Sequence, residues 1–324
     1  MTSSPTLAPV ARDRTPRLLI LGAATVTVVL WASAFVGIRI AAADFGPGAL
    51  TLGRIAIGTV VLAVLQQIIG RRRRDASAPE TRTLRQAPGR VIVGVVLWGI
   101  AWFGVYNLAL NAAERHVDAG TAALLVNTAP MITAVLAGLL LKEGFPRRLL
   151  IGMLVSLLGV AVVTAATTTG QFDAIGVALG LAAAVLYGGA ATLQKRLLAY
   201  LPASTMTLVG CAAAVVACLP FAPELIRSIQ AAPPSALLAV LYLGVFPTAV
   251  AFTTWGYVLS RTSAGRTAAT TYAVPAIVVL LSWLVLRETP PLLALVGGAL
   301  ALVGVAIATL RRRPAPVAAA PAAE

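Results

Sequence analysis

Apolar positions in this chain do not alternate with polar ones. They run on for about twenty residues at a time and then give way to short polar or basic breaks. Roughly 20 helical residues are needed to cross a bilayer core of about 30 Å. Ten such runs are read, at 18–40, 49–69, 91–111, 119–141, 147–166, 174–197, 204–222, 236–257, 264–286 and 291–310. They are rich in Ala, Leu, Val and Gly and lack the period-two pattern of a membrane barrel, so they predict helices. The expected fold class is an all-α polytopic membrane protein with ten transmembrane helices. The breaks are short except 70–90, a basic, Pro-containing loop, and the segments 1–16 and 311–324 read as disordered tails. The first run exceeds the 7–15 residues of a signal-peptide core, so it is expected to be retained despite Ala41-Ala42-Ala43 after it.

Composition agrees with that reading. Hydrophobic residues make up 59% of the 324 and charged residues 11%, with mean hydropathy +0.91. A soluble domain carries about 25% charged residues. A net charge of +14 would suggest nucleic acid in a soluble chain. Here the cations cluster between apolar runs, so topology and lipid headgroups account for them and no nucleic-acid partner is expected. With the N-terminus in the cytoplasm, 20 of the 25 Lys and Arg fall on the cytoplasmic side. Only Arg115, Arg227 and Arg287 fall outside, while Arg39 and Arg54 lie inside or at the outer ends of spans 1 and 2. Both termini are therefore expected in the cytoplasm, with the chain in the plasma (inner) membrane. Cys211 and Cys218 are expected as reduced thiols, and lone His116 gives no metal site. No cofactor is expected, and no phosphate-binding loop of the G-x-x-x-x-G-K-[ST] kind is present to drive the chain with ATP.

The chain repeats itself. Residues 119–164 align without gaps on 264–309, an offset of 145, with 17 identities in 46 positions. Ala119-Gly120 meets Ala264-Gly265, Pro130 meets Pro275, Lys142-Glu143 meets Arg287-Glu288, and Gly152 and Gly159 meet Gly297 and Gly304. This divides the chain into a first repeat, 17–168, and a second, 169–310. Five spans per repeat is an odd number, so the second copy enters the membrane from the opposite side. Inverted repeats of this kind typify secondary transporters, because exchanging the conformations of the two halves opens a midplane site to the other face.

Trp31-Ala32-Ser33-Ala34-Phe35 leading to Arg39 resembles the opening signature of the drug/metabolite transporter superfamily, in its EamA-domain branch. So does the doubled pattern of Ala-Gly, Pro and basic-Glu just described. The resemblance covers about 18–310. It implies a five-plus-five helical fold and a central cavity lined by spans 1, 3, 4, 6, 8 and 9. It also implies peripheral spans 5 and 10, a candidate homodimer contact, and a small metabolite as cargo, often moved outward in bacteria.

Candidate contacts for a solute are the polar and aromatic side chains deep in the spans. Trp31 and Phe35 share a face of span 1, and Trp102 and Tyr106 share one of span 3 beside Asn107 and Asn111. Asn127 and Pro130 in span 4, Tyr187 in span 6, Trp255 in span 8, and Thr271, Tyr272 and Pro275 in span 9 complete the set. Trp98 and Trp255 fit an aromatic interface belt as well as a binding site. Asn127 fits interhelical glue as well as a contact, and the prolines fit paired kinks at the pathway or plain packing. Glu143 and Glu288 close spans 4 and 9 as gate residues or as locally paired helix ends. Small-residue ridges at Gly152/Ser156/Gly159, Gly297/Ala301/Gly304 and Gly180/Ala184/Gly188 point to close helix packing. No span carries a mid-membrane Asp or Glu, which disfavours a carboxylate-switched proton antiport. The expected function is secondary transport of a small metabolite such as an amino acid, as an exporter. The alternatives are an integral-membrane lipid or prenyl transferase, which lacks its clustered carboxylates here, and a non-transporting membrane sensor.

Overall fold

Long runs of Leu, Val and Ala leave a backbone in lipid one way to satisfy its own N–H and C=O groups without closing a barrel, and that is the helix. The computed structural model describes residues 17–75, 84, 87–113, 116–117, 124–167, 173–286 and 291–310. Arg115, Ala119-Gly120, Arg287-Glu288, both tails and most of the 70–90 loop lie outside the described residues. Nine helices among the described residues are long and apolar enough to cross a membrane, and a tenth, Leu124–Leu140, is shorter. In chain order they are α1 (Arg17–Ala41), α2 (Pro47–Asp75), α3 (Gly89–Ala113), α4 (Leu124–Leu140) and α5 (Arg147–Thr167). The second half has α6 (Ala174–Leu197), α7 (Ala203–Ala231), α8 (Pro234–Arg261), α9 (Ala264–Thr270, resuming as Ala273–Leu286) and α10 (Leu292–Thr309). Leucines such as Leu139 (64% exposed), Leu158 (62%) and Leu292 (77%) face outward, as lipid-facing side chains do and as a water-facing surface rarely tolerates.

Packing follows the repeat. α1 packs on α8 and α9, as α6 packs on α3 and α4. α2 packs on α7 and α8, as α7 packs on α2 and α3. α4 meets α9, and α5 meets α10. Adding five to each helix number exchanges one set of contacts for the other, which is what a two-fold between the halves requires. The sense of each half is fixed by its ends. Glu143, just past α4, bonds the first residues of α9, so the end of α4 and the start of α9 share one side. α9 crosses the molecule, so 142–146 lies on the side opposite the far end of α9 at Leu286, the repeat mate of Leu141. The halves are inverted.

In lipid the hydrophobic effect does not hold helices together; close packing and polar contacts do. The ridges on α5 and α10 meet each other within the chain. A Cβ on Gly159 would lie 2.4 Å from the Ala301 nitrogen, and one on Gly304 would lie 2.4 Å from the Ser156 nitrogen. Ser156 Oγ donates to the Ala301 carbonyl at 3.0 Å, and these two residues are mates at the 145 offset, so the pseudo-two-fold axis passes here. The ridges being used internally, a contact between two copies through these helices has only their outer Leu and Ile faces. Gly180 and Gly188 on α6 face Leu125 and Ile132 of α4.

The far end of α7 departs from expectation. The apolar run stops near 222, but after a tight turn at Leu219–Phe221 the helix continues through Ala222–Ala231. That extension carries Glu224, Arg227, Ser228 and Gln230 beside exposed Ile226 and Ile229, the amphipathic pattern of a helix at the membrane surface. At the same end, Asp173 caps α6 by accepting the Ile175 N–H at 3.0 Å and pairs with His116 Nδ1 at 2.8 Å. The Ile175 N–H and then His116 hold this carboxyl below its usual range. A carboxylate thus ties the α3 and α6 ends on one side of the molecule and the α4 and α9 ends on the other, each across the two halves.

Candidate substrate cavity

Proline cannot donate a backbone hydrogen bond, and the repeated prolines mark where α4 and α9 loosen. α4 turns at Asn127-Thr128 and resumes at Ala129 with Pro130 in its first turn. α9 turns at Thr271-Tyr272 and resumes at Ala273, just before Pro275. The chain tightens to three-residue spacing at both places, with Thr128 N–H on Leu125 O and Val274 N–H on Thr271 O. A second pair of irregularities sits on two further inner helices, α3 and α8. α3 carries a π-helical turn at Ile100–Val105 and α8 one at Gly244–Val250, matched within a residue at the 145 offset. Such turns insert an extra residue and rotate the remainder of the helix, and they recur at functional sites. In α3 the freed carbonyls of Trp102 and Phe103 accept the Asn107 side-chain amide at 3.2 and 3.0 Å. In α8, Pro247 lies inside the turn and Thr248 Oγ1 donates to Leu243 O at 2.8 Å.

These four irregular segments surround a cavity of about 120 Å³. Its base is aromatic. Trp31 lies 5.2 Å from Phe252, and Trp102 lies 5.2 Å from Tyr187 and 5.5 Å from Phe252, between ring centroids. Neutral polar groups, Asn107, Asn111, Asn127, Thr248 and Thr271, line it with Arg54. Ile38 and Asn111 also border a further cavity of about 410 Å³ at the 42–47 turn. The opposite end is filled. Trp255, 1% exposed, lies under Trp31 at 5.1 Å, and its indole N–H donates to Gln194 Oε1 at 2.9 Å. Beyond it Glu143 accepts the Ala264 and Gly265 N–H groups at 2.8 and 3.3 Å. Lys195 Nζ donates to the Leu259 and Thr262 carbonyls, both at 2.6 Å, closing the α8 C-terminus. Lys142 has φ 56° and Gly144 φ 71°, a left-handed turn that brings Glu143 back across to α9.

Of the anticipated contacts, Trp31, Phe35, Trp102, Tyr106, Asn127, Pro130, Tyr187 and Thr271 all line this one cavity. Three do not. Trp255 is covered by Trp31 and held by Gln194. Tyr272 is 0% exposed in a separate cluster with Ala134, Leu149, Met153 and Ala301, because the turn at 271–272 sends its ring toward α5 and α10 while Thr271 stays inward. Pro275 is buried away from the lining, which takes Val274 instead. A belt position for Trp98 or Trp255 is also overturned: Trp98 is 0% exposed and lies over Gly210. Glu288 falls outside the described residues. Helix α2 enters the lining, which the resemblance did not imply. A Cβ on Gly244 would meet Ile57 at 2.5 Å and the Arg54 carbonyl at 2.9 Å. The bare glycine therefore lets α2 press against α8, and Arg54 Nε reaches Thr248 Oγ1 at 3.3 Å. The signal for Arg54 was its place inside a span, eight residues into the helix.

The geometry has relatives. The EamA-like transporter family matches the chain twice, over residues 18–165 and 174–310. A protein of Streptantibioticus cattleyicolor named as a probable terminal-alkyne amino-acid exporter is 34% identical over 289 residues, covering 89% of this chain and 93% of that one. A probable amino-acid metabolite efflux pump of Salmonella typhimurium is 26% identical over 215 residues, covering 63% of this chain and 72% of the pump. A solved crystal structure at 22% identity shares the fold with a TM-score of 0.72, over 91% of this chain and 98% of its own. The two copies of one family unit, in a multi-pass membrane protein built as an inverted pair, establish that the chain belongs to the EamA-like transporter family.

Proposed function

We propose that the protein exports amino acids or closely related small solutes across the inner membrane by alternating access between its two repeats. The observation that carries this reading is one cavity lined from both halves and stopped at one end by a contact between them, Glu143 on the start of α9. The Lys- and Arg-rich side, with both termini, is cytoplasmic, so this conformation faces outward. Glu143 and Glu288 act as the paired gates. Glu143 closes the cytoplasmic end in this state, and Glu288 closes the external end in the other. The relatives' names support an amino-acid cargo and outward movement. The aromatic base suits an apolar side chain, and the amides around it suit polar ends. The two outer faces of α5 and α10 meet lipid or a second copy.

Reconstituted proteoliposomes test this directly. Counterflow of labelled amino acids should be saturable and should disappear when the cavity is filled by Ala34→Trp, a substitution at a lining position. Absence of flux for every solute in a broad panel, with protein folded and correctly inserted, would overturn the transporter reading.

A further inference from the structure

Among the described residues, the lining of the cavity contains one cation, Arg54, and no carboxylate. Arg54 stands seven residues past the start of α2, about 10 Å along the axis at 1.5 Å per residue. Its side chain is half-buried and lines the cavity, and a guanidinium inside a span is costly unless paired or solvated. Its neighbours do not neutralise it. Among the described residues its hydrogen-bond partner is Thr248, through Nε at 3.3 Å. Among the described residues, the ionisable side chains that act on it are Tyr106 and Cys211, a phenol and a thiol, so neither is a carboxylate partner. The Thr248 hydroxyl gives its proton to Leu243 O, so it can only accept from the arginine, which fixes the guanidinium along one edge. Among the described residues no other hydrogen bond of the guanidinium is seen, and Arg54 lines the cavity that Trp31, Trp102 and Tyr187 share. A guanidinium held by Nε presents the planar fork that matches a carboxylate with two parallel hydrogen bonds.

We propose that Arg54 is the anchor for the carboxylate of the transported solute. The site therefore selects small monocarboxylic solutes, with the apolar side chain over the aromatic base and an ammonium, where there is one, at the amides of Asn107 and Asn127. This inference rests on the reading of the protein as a solute transporter and adds the group the solute must carry. The positive charge of the site is then compensated only when cargo is bound.

The test uses the full chain in nanodiscs and in proteoliposomes, with alanine, valine, leucine and phenylalanine each set against its primary amide. Binding is followed by tryptophan fluorescence, since Trp31 and Trp102 line the site. Each acid that binds should bind more tightly than its amide, and Arg54→Gln should weaken the acids roughly 10- to 100-fold, the range for losing charge-assisted hydrogen bonds, while leaving the amides little changed. Arg54→Lys, which keeps the charge but not the fork, should retain part of the affinity. A thermal melt of each variant separates lost binding from lost folding. If no acid is preferred to its amide, or if folded Arg54→Gln binds acids as wild type does, the anchor is wrong even where flux persists. Acid-selective binding dependent on Arg54 but without flux would instead leave the anchor standing and sink the transporter reading.

Discussion

Two tryptophans in the same aromatic cluster do different jobs, and a substitution should separate them. Trp31 is partly exposed to the cavity, whereas Trp98 is sealed between α3 and α7 against Gly210, with Trp102 and Phe103 edge-on at 5.8 and 5.3 Å. Trp31→Ala removes ring surface that lines the cavity, and should weaken solute affinity roughly three- to tenfold, the worth of one aromatic contact, with little change in melting. Trp98→Ala opens a cavity in the packed core at a cost of about 3–5 kcal/mol, so it should lower the melting temperature and yield while the protein that does fold keeps its affinity. Solute titration and melting curves on both variants check this; loss of affinity without loss of stability in Trp98→Ala would mean the lumen reaches further toward α7. Much of the site could be read from residue type and spacing, because Trp31 with Phe35 and Trp102 with Tyr106 keep one helix face. Tyr272 could not, since a turn at 271–272 alters which face a residue takes. Arg54 was visible as a cation within a span, but its approach to Thr248 depends on a glycine in a helix remote in sequence.

Small residues set how the helices meet, and the α5–α10 contact is where that is most exposed to test. Gly159 and Gly304 touch backbone across the interface, so even a methyl group forces the helices apart. Gly159→Ala or Gly304→Ala should each cost about 1–3 kcal/mol, as overpacking does, seen as a lower melting temperature in detergent. Leu158→Ala, on the lipid face one residue away, should change little. Equal melting for all three would mean that the two helices are held by something other than this ridge. Hydropathy made the helices legible because a bilayer admits few alternatives, and Pro130 and Pro275 announced the breaks in α4 and α9. The π turns were not anticipated, although Pro247 marks the one in α8. Ile100–Val105 in α3 contains no proline, and an amide, Asn107, takes up the carbonyls its turn frees. The end of α7 was hidden for a different reason: its last ten residues trade an apolar run for an amphipathic one, and a hydropathy window stops where a surface helix begins.

At the scale of the whole molecule, the inverted repeat makes a demand that a simple helix cap does not. Glu143 belongs to the first repeat and holds the start of α9 in the second, bonding Ala264 and Gly265. In the alignment Glu288 is the mate of Glu143, and Ala119-Gly120 is the mate of Ala264-Gly265. If the halves exchange as proposed, Glu288 is expected to take the place of Glu143 with Ala119-Gly120 as its partner, and each glutamate would then favour one state over the other. Hydrogen bonds to a charged group contribute about 1.5–3 kcal/mol each, so losing the two in Glu143→Ala should shift the balance between states by roughly a hundredfold or more. A cysteine at Leu110, a lining residue toward the 42–47 end, in a chain with Cys211 and Cys218 changed to Ala, reports the balance through its reaction with an impermeant maleimide added from that side. Labelling should fall in Glu143→Ala, rise in Glu288→Ala, and return close to the starting rate in the double variant, because the two shifts have opposite sign. Two glutamates that only cap helix ends would both lower stability and would move labelling in the same direction or not at all. Only if the signs oppose do the two carboxylates act as one switch, with a single pair of halves trading the same contact across the membrane.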